Sequence, residues 1–370
     1  MKKNSKVYKF VCLLTAVLLI AVVVAGCGGG GSGEKDKEGL TKIRVSHQPE
    51  FETFQTYQAI QGGLDKKAGI ALDLMYFDSG MPQIEALPAN QWDVGATGGV
   101  PMLMAALRYD AYMIGLANDE SQANVIMVRP DSPVMKTKGA NPKFPEAYGT
   151  ADDVRGKTII VTTVSSGHYA LSGYLKALGL TDKDVKIQNM EQAQAVAAFE
   201  SGEGDILVVW TPFAYTGLKK GWKVAASSDQ VGAGVPLVLI ANKKYADENP
   251  EQVVKFLDVF FQSLDTMKKE QANLAEPYQK FLKDWAAIEI SKEDAALDIQ
   301  WHPVYDLKEQ LVMFDNSKGQ SEMEKTMVGI AEFFTEQGKF TPQEKEKVVN
   351  SGFVTDKFLK MLAEEKGLTK

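Results

Sequence analysis

The chain has 370 residues, of which 45% are hydrophobic, 24% charged and 9% aromatic. That suits one large or two average globular domains and excludes a disordered chain, a collagen-like repeat and a polytopic membrane protein. Basic side chains number 41 against 48 acids, a net charge of −7; without the four lysines of the first 26 residues the balance is 37 against 48, or −11. So acidic a body is no nucleic-acid partner, because affinity there comes from basic side chains that neutralise phosphates.

Lys2, Lys3, Lys6 and Lys9 form a positive head, and Val11 to Ala25 is an almost wholly apolar run of 15 residues. A bilayer-spanning helix needs roughly 20, so the run suits the core of an export signal. It ends in Val24-Ala25-Gly26-Cys27, which resembles a bacterial lipobox. That resemblance implies a signal peptide over 1–27, cut before Cys27, with lipid on the Cys27 thiol. Gly28-Gly29-Gly30-Gly31-Ser32-Gly33 and a charged stretch without apolar residues follow, predicting a flexible tether over 28–39. The expected location is the extracytoplasmic face of the cell membrane, held by lipid.

From 40 onward, strand and helix patterns alternate. Thr41–Ser46 alternates in polarity and reads as a strand. Phe54, Tyr57, Ile60 and Leu64 share one helix face, and Ala71–Phe77 is a second strand. Asp93–Ala96 is a short buried strand. Pro101 then sits where a first helical residue is expected, and the helix runs to about Tyr109. Ala111–Ala117 and Asn124–Val128 are further strands. A break at 130–150 carries Pro130, Pro133, Pro142 and Pro145. Alternation resumes with Lys157–Thr163, a helix over Ser166–Leu178, the strand Val185–Asn189, a helix over Gln192–Ser201, the strand Asp205–Trp210 and a short one at Val224–Ala226. Pro236–Asn242 is a strong strand, and from Asn249 the pattern is helical. This alternation predicts an α/β fold with mostly parallel sheets and a helical C-terminal tail. Two lobes are expected, 40–129 plus 235–370 and 130–234, joined by two hinge crossings near Arg129 and Pro236, with a ligand site in the cleft between them.

Three strings carry a resemblance: Gln91-Trp92-Asp93-Val94-Gly95 before a glycine-rich turn and Pro101; Asp153-Val154-Arg155-Gly156-Lys157-Thr158-Ile159; and Ala197 to Asp205 followed by Val208-Val209-Trp210-Thr211-Pro212. From Lys42 to about Leu362 the chain resembles the periplasmic-type solute receptors of ABC importers for nitrate, sulfonates, taurine and thiamine precursors. Phe77-Asp78-Ser79-Gly80 and Val164-Ser165-Ser166-Gly167-His168-Tyr169-Ala170-Leu171 are most similar to taurine-binding proteins. One departure stands out: Thr97-Gly98-Gly99-Val100 replaces their serine-rich turn, which removes hydroxyl donors and opens space. The resemblance implies a periplasmic-binding-protein-like fold, a small anionic or zwitterionic solute, an ABC permease with its ATPase as partners, and no covalent chemistry.

Small anions need donors more than formal charge, and a helix amino terminus offers free N–H groups and about +0.5 of charge. Two such turns face the predicted cleft, Thr97-Gly98-Gly99 and Ser165-Ser166-Gly167-His168. Gln48, after the first strand, is a further expected contact. Trp210 ends a buried strand, and the resemblance places it beside the ligand. Asp78, Asn118 and Glu120 follow strand ends, and Asp78 or Glu120 can pair with an ammonium. The expected ligand is taurine or another organosulfonate, with nitrate or a thiamine-type pyrimidine as alternatives. A pyrimidine-synthase-like enzyme is the remote reading, since the three histidines show no metal-like spacing. No catalytic residue, metal or cofactor is expected, and the body is expected to be a monomer.

Overall fold

A computed structural model describes residues 34–368. The expected signal peptide and Cys27 lie outside the described residues, as does the tether up to 33. The described part of the tether is bound to the body. Lys35 bridges to Thr41, and Asp36 accepts from the amides of Glu38 and Leu40 at 2.9 and 2.8 Å. Residues 35–40 thus fold onto the start of the first strand, helped by an aspartate that satisfies its own turn. Among the described residues no helix is long and apolar enough to cross a membrane.

The strands are β1 (Thr41–His47), β2 (Ile70–Tyr76), β3 (Val94–Gly98), β4 (Ala111–Asp119), β5 (Asn124–Val128), β6 (Thr158–Val161), β7 (Lys186–Asn189), β8 (Ile206–Trp210), β9 (Lys223–Ser227) and β10 (Pro236–Asn242). They form two sheets, ordered β2-β1-β3-β10-β4 and β7-β6-β8-β5-β9. In the first, β1 runs parallel to β2 and β3, while β10 is antiparallel to β3 and β4. In the second, β6 runs parallel to β7 and β8, while β5 is antiparallel to β8 and β9. Each sheet is thus mixed, with four of its five strands running the same way and one, β10 or β5, running against them. The cause is topological: each receives one strand that arrives from the other sheet and is inserted between two of its own.

The lobe assignment shifts accordingly. Asn124–Val128 belongs to the second sheet, so the first crossing falls between Asp119 and Asn124, not near Arg129. A short apolar strand carries no mark of which sheet it will join. The chain returns to the first sheet between β9 and β10, after Ser227 and before Pro236.

The expected single helix around 54–64 is two, Phe51–Gln61 and Leu64–Lys67, parted at Gly63, whose φ of 64° is left-handed. The next helix spans Gly99–Arg108. Pro101 is its third residue rather than its first, which is tolerated because first-turn amides have no intrahelical partner. The tail does more than extend the first lobe. Tyr215 of the second lobe donates to Asp298 at 3.2 Å, and Tyr169 stacks edge-on against Phe333 with ring centroids 4.7 Å apart. The tail therefore straps both lobes.

β1 and β3 approach unusually closely at Ser46 and Gly95, which pair in register. A Cβ on Gly95 would lie 2.2 Å from Ser46 Oγ and 2.3 Å from its carbonyl oxygen. Backbone cannot yield as a side chain can. Gly95→Ala should destabilise the fold by about 2–4 kcal/mol, read as a lower urea midpoint at unchanged slope.

Candidate functional site

The cleft lies where helix starts from both lobes converge. Gln48, Glu50, Gly80, Gly98, Pro101 and Glu120 come from the first-lobe side, and Ser165, Ser166 and Trp210 from the second. Glu50 caps the Phe51–Gln61 helix and Gly98 the Gly99–Arg108 helix, Gly80 opens the Gly80–Glu85 helix, and Ser165 caps Ser166–Ala177. Amide N–H groups and the positive ends of these helices thus point to one region. The cavity is only about 20 Å³, room for a single water. The lobes are shut: a Cβ on Gly98 would lie 2.4 Å from Ser166 Oγ. A solute enters only with the lobes further apart.

The electrostatics are unexpected for an anion receptor. Among the described residues no lysine or arginine lines the cavity, while Glu50 and Glu120 do, at 5% and 4% exposure. Burial pushes the Glu120 carboxyl up to about 7; the charge of Asp119 adds to this, and bonding to Ser166 and Asn124 opposes it. Glu50 is raised by burial and by the charges of Glu52 and Glu120. Glu52, directly behind, is raised to about 8 by burial. Glu120 Oε1, Trp210 Nε1 and Thr211 Oγ1 are buried with no hydrogen-bond partner. Such groups cost free energy when left unpaired; of the three, Glu120 and Trp210 line the cavity, where they offer one acceptor and one donor.

The expected residues divide. Gln48, Gly98, Glu120, Ser165, Ser166 and Trp210 are brought together. Thr97 stands just behind, with its hydroxyl 3.5 Å from Gln48 Nε2. Gly167 packs on the Trp210 ring, its Cβ position 3.4 Å from Trp210 Cε3. Asn118 is buried and donates to the Asp119 carbonyl at 3.1 Å, outside the cavity lining. Ser165 keeps little to offer, since its hydroxyl donates to Thr162 O at 2.7 Å and accepts from the His168 amide at 3.1 Å.

Three residues are placed elsewhere. Gly99 turns away from the cleft to Val235 and Pro236, because it is already inside the helix. His168 turns away too: its Nδ1 accepts from the Val164 amide at 3.2 Å, which leaves the proton on Nε2, 2.9 Å from Asp182. Burial alone would raise Asp182, but His168 and Lys339 outweigh it and hold that carboxyl below its ordinary value. Asp78 is exposed; it adds to the raised pKa of half-buried Glu191, on the second lobe, after the larger effect of burial. Glu50 and Gly80 were not anticipated. The signal for Glu50 was its place in the same strand-end turn as Gln48.

With this geometry in view, the sequence matches are specific. A sequence model of the NMT1-like family matches residues 36–279. The chain belongs to the NMT1-like family. The chain is 26% identical over 262 residues to a Brachyspira hyodysenteriae protein described as a candidate ABC transporter periplasmic binding protein, covering 71% of this chain and 75% of that one. It is 29% identical over 220 residues to the taurine-binding periplasmic protein of Escherichia coli, covering 58% and 62% of the two chains. The fold is shared with the periplasmic aliphatic sulphonate binding protein of Escherichia coli, with a TM-score of 0.62 at 20% identity over 84% of this chain and 98% of that one. It is shared also with the periplasmic nitrate-binding protein of Synechocystis PCC 6803, with a TM-score of 0.68 at 13% identity over 89% and 90%. The expected periplasmic-binding-protein fold is therefore the one observed. These relatives are named as binding proteins, not as enzymes.

Proposed function

We propose that this NMT1-like protein is an extracytoplasmic solute-binding lipoprotein of an ABC importer, anchored through Cys27, which closes on a small amine-bearing organosulfonate such as taurine and passes it to a permease. The observation that carries the reading is the pairing in one cavity of helix-terminus and hydroxyl donors with two buried carboxyls. A sulfonate fits the first group and an ammonium the second. A simple anion such as nitrate fits poorly, because it brings a negative charge and no donor to Glu50 and Glu120. An aminopyrimidine of the thiamine-precursor type is the second reading. Its amino group suits the unpaired Glu120 Oε1, and its ring suits the Trp210 face.

A thermal-shift series on the body from Lys35 onward tests this. Taurine at 100 times its Kd should stabilise by about 2.7 kcal/mol, and ethanesulfonate, which lacks the amine, should bind at least tenfold more weakly. A shift with aminopyrimidines alone selects the second reading. No shift with either class removes both substrates.

A further inference from the structure

A second and much larger pocket lies on the other side of the Ser165–His168 turn. It measures about 330 Å³, within the range of small-molecule sites and many times the space left in the cleft. Three segments wall it. Val100, Met104 and Arg108 come from the Gly99–Arg108 helix, Thr163, Val164 and His168 from the second lobe with Ile187 of β7, and Phe334, Lys339 and Phe340 from the tail. The wall is mainly aliphatic and aromatic, and every charged group on it is a cation or His168.

Those cations are not equivalent. Lys339 is paired with Asp182 at 2.9 Å, the carboxylate that also meets His168. Arg108 is exposed and makes no hydrogen bond or ion pair among the described residues. Glu344, whose carboxyl feels the charge of Arg108, is occupied by the Thr341 amide and hydroxyl at 2.9 and 3.0 Å. A guanidinium with no bonded partner among the described residues, and with its fork of donors, therefore stands at an apolar cavity. Val164 sharpens the picture. It is β-branched yet has a φ of 57°, a conformation such residues rarely adopt, and its N–H donates a hydrogen bond to His168 Nδ1. That turn presents Ser165 and Ser166 to the cleft and Val164 to the second pocket.

We propose that this pocket is a second ligand site, for a small amphipathic anion: one carboxylate or sulfonate head on Arg108 and an apolar body against Met104, Ile187, Phe334 and Phe340. It is independent of what fills the cleft, whose own wall is acidic and nearly without free volume. Because its walls come from both lobes and the tail strap, an occupant joins all three segments.

Calorimetric titration of the full chain with naphthalenesulfonate and with decanoate tests the site. The two probes share the anionic head and differ in the body, so they separate an aromatic from an acyl occupant. Binding of at least one probe is expected at one site per chain. It should be weakened tenfold or more by Arg108→Ala, abolished by Ile187→Trp, which fills the pocket, and unchanged by Glu120→Gln. Arg108 makes no internal bond, so its replacement leaves the fold intact. Binding that survives Arg108→Ala but falls in Glu120→Gln would place the probe in the cleft and overturn the proposal. So would the failure of both probes to bind the parent chain.

Discussion

Replacing Glu120 by glutamine should have two large effects of opposite sign. Affinity for taurine, or for any ligand whose amine meets this carboxyl, should fall roughly 30- to 1,000-fold, the usual consequence of removing one member of a buried charged pair. The empty protein should become more stable. Glu120 is buried and its carboxyl is pushed up to about 7 by that burial. A carboxyl raised in the folded state contributes stability that is complete below its unfolded value and is lost as pH rises through the folded one. At pH ~8 the parent carries the full penalty and the glutamine variant none. The variant should then be more stable by about 3 kcal/mol, several degrees in Tm, and the gap should close as pH falls toward ~4.5.

Comparing the variant with its parent at each pH removes the contributions of groups that do not feel the Glu120 charge, such as His47, whose pKa burial lowers to about 3 and which opposes the carboxyls below ~6.5. Glu50 and Glu52 do feel that charge, so their carboxyls should fall somewhat in the variant, and that relief adds to its gain at high pH. Amine binding by the parent should strengthen with pH up to about 7, where the proton no longer competes. Unchanged taurine affinity in Glu120→Gln, with the parent binding, would show that the ammonium lies elsewhere.

The sequence patterns located nearly every strand, and they placed the cleft residues that are defined by strand ends and helix starts. Gln48, Gly98 and Ser166 were legible because strand ends and helix starts converge in an open α/β sheet whatever the packing details, and Trp210 through the family resemblance. Side-chain direction was not legible. Gly98 and Gly99 are adjacent, yet one faces Ser166 and the other Val235, a difference set by the phase of the helix. His168 stands three residues from the N-cap, and its ring bonds to Val164 and Asp182 settle its direction; Asp182 is 14 residues away. The sequence does not single out Glu50, although it offers Glu120 and Asp78 as partners for an ammonium. Its place in the turn after β1 does not tell that its side chain is buried at the same cavity as Glu120. The misplaced first crossing has the same origin, since β5 is fully buried in either sheet and its sequence would suit both.

Gly98→Val should act as a wedge between the lobes. Gly98 has φ −62° and ψ 153°, an ordinary extended conformation that valine adopts freely, so the substitution carries no backbone penalty. The added Cβ would meet Ser166 Oγ at 2.4 Å and Glu120 Oε1 at 3.4 Å, both on the opposing or adjoining cleft wall. A single methyl, as in Gly98→Ala, can be met by rotation of the Ser166 hydroxyl. The two γ-methyls of valine cannot, because Pro101 Cδ already stands 3.5 Å from the same Cβ position. The lobes should therefore fold as before, with Tm in the absence of ligand nearly unchanged, but fail to meet. A ligand that gains its affinity from contacts to both lobes loses one set of them, so binding should weaken by about 100-fold, and by less in Gly98→Ala. Small-angle scattering separates this from a local steric effect on the ligand: the parent should contract when taurine is added and Gly98→Val should not. Parent-like contraction in the valine variant would mean that the lobes close on the solute through some other contact than Gly98 and Ser166.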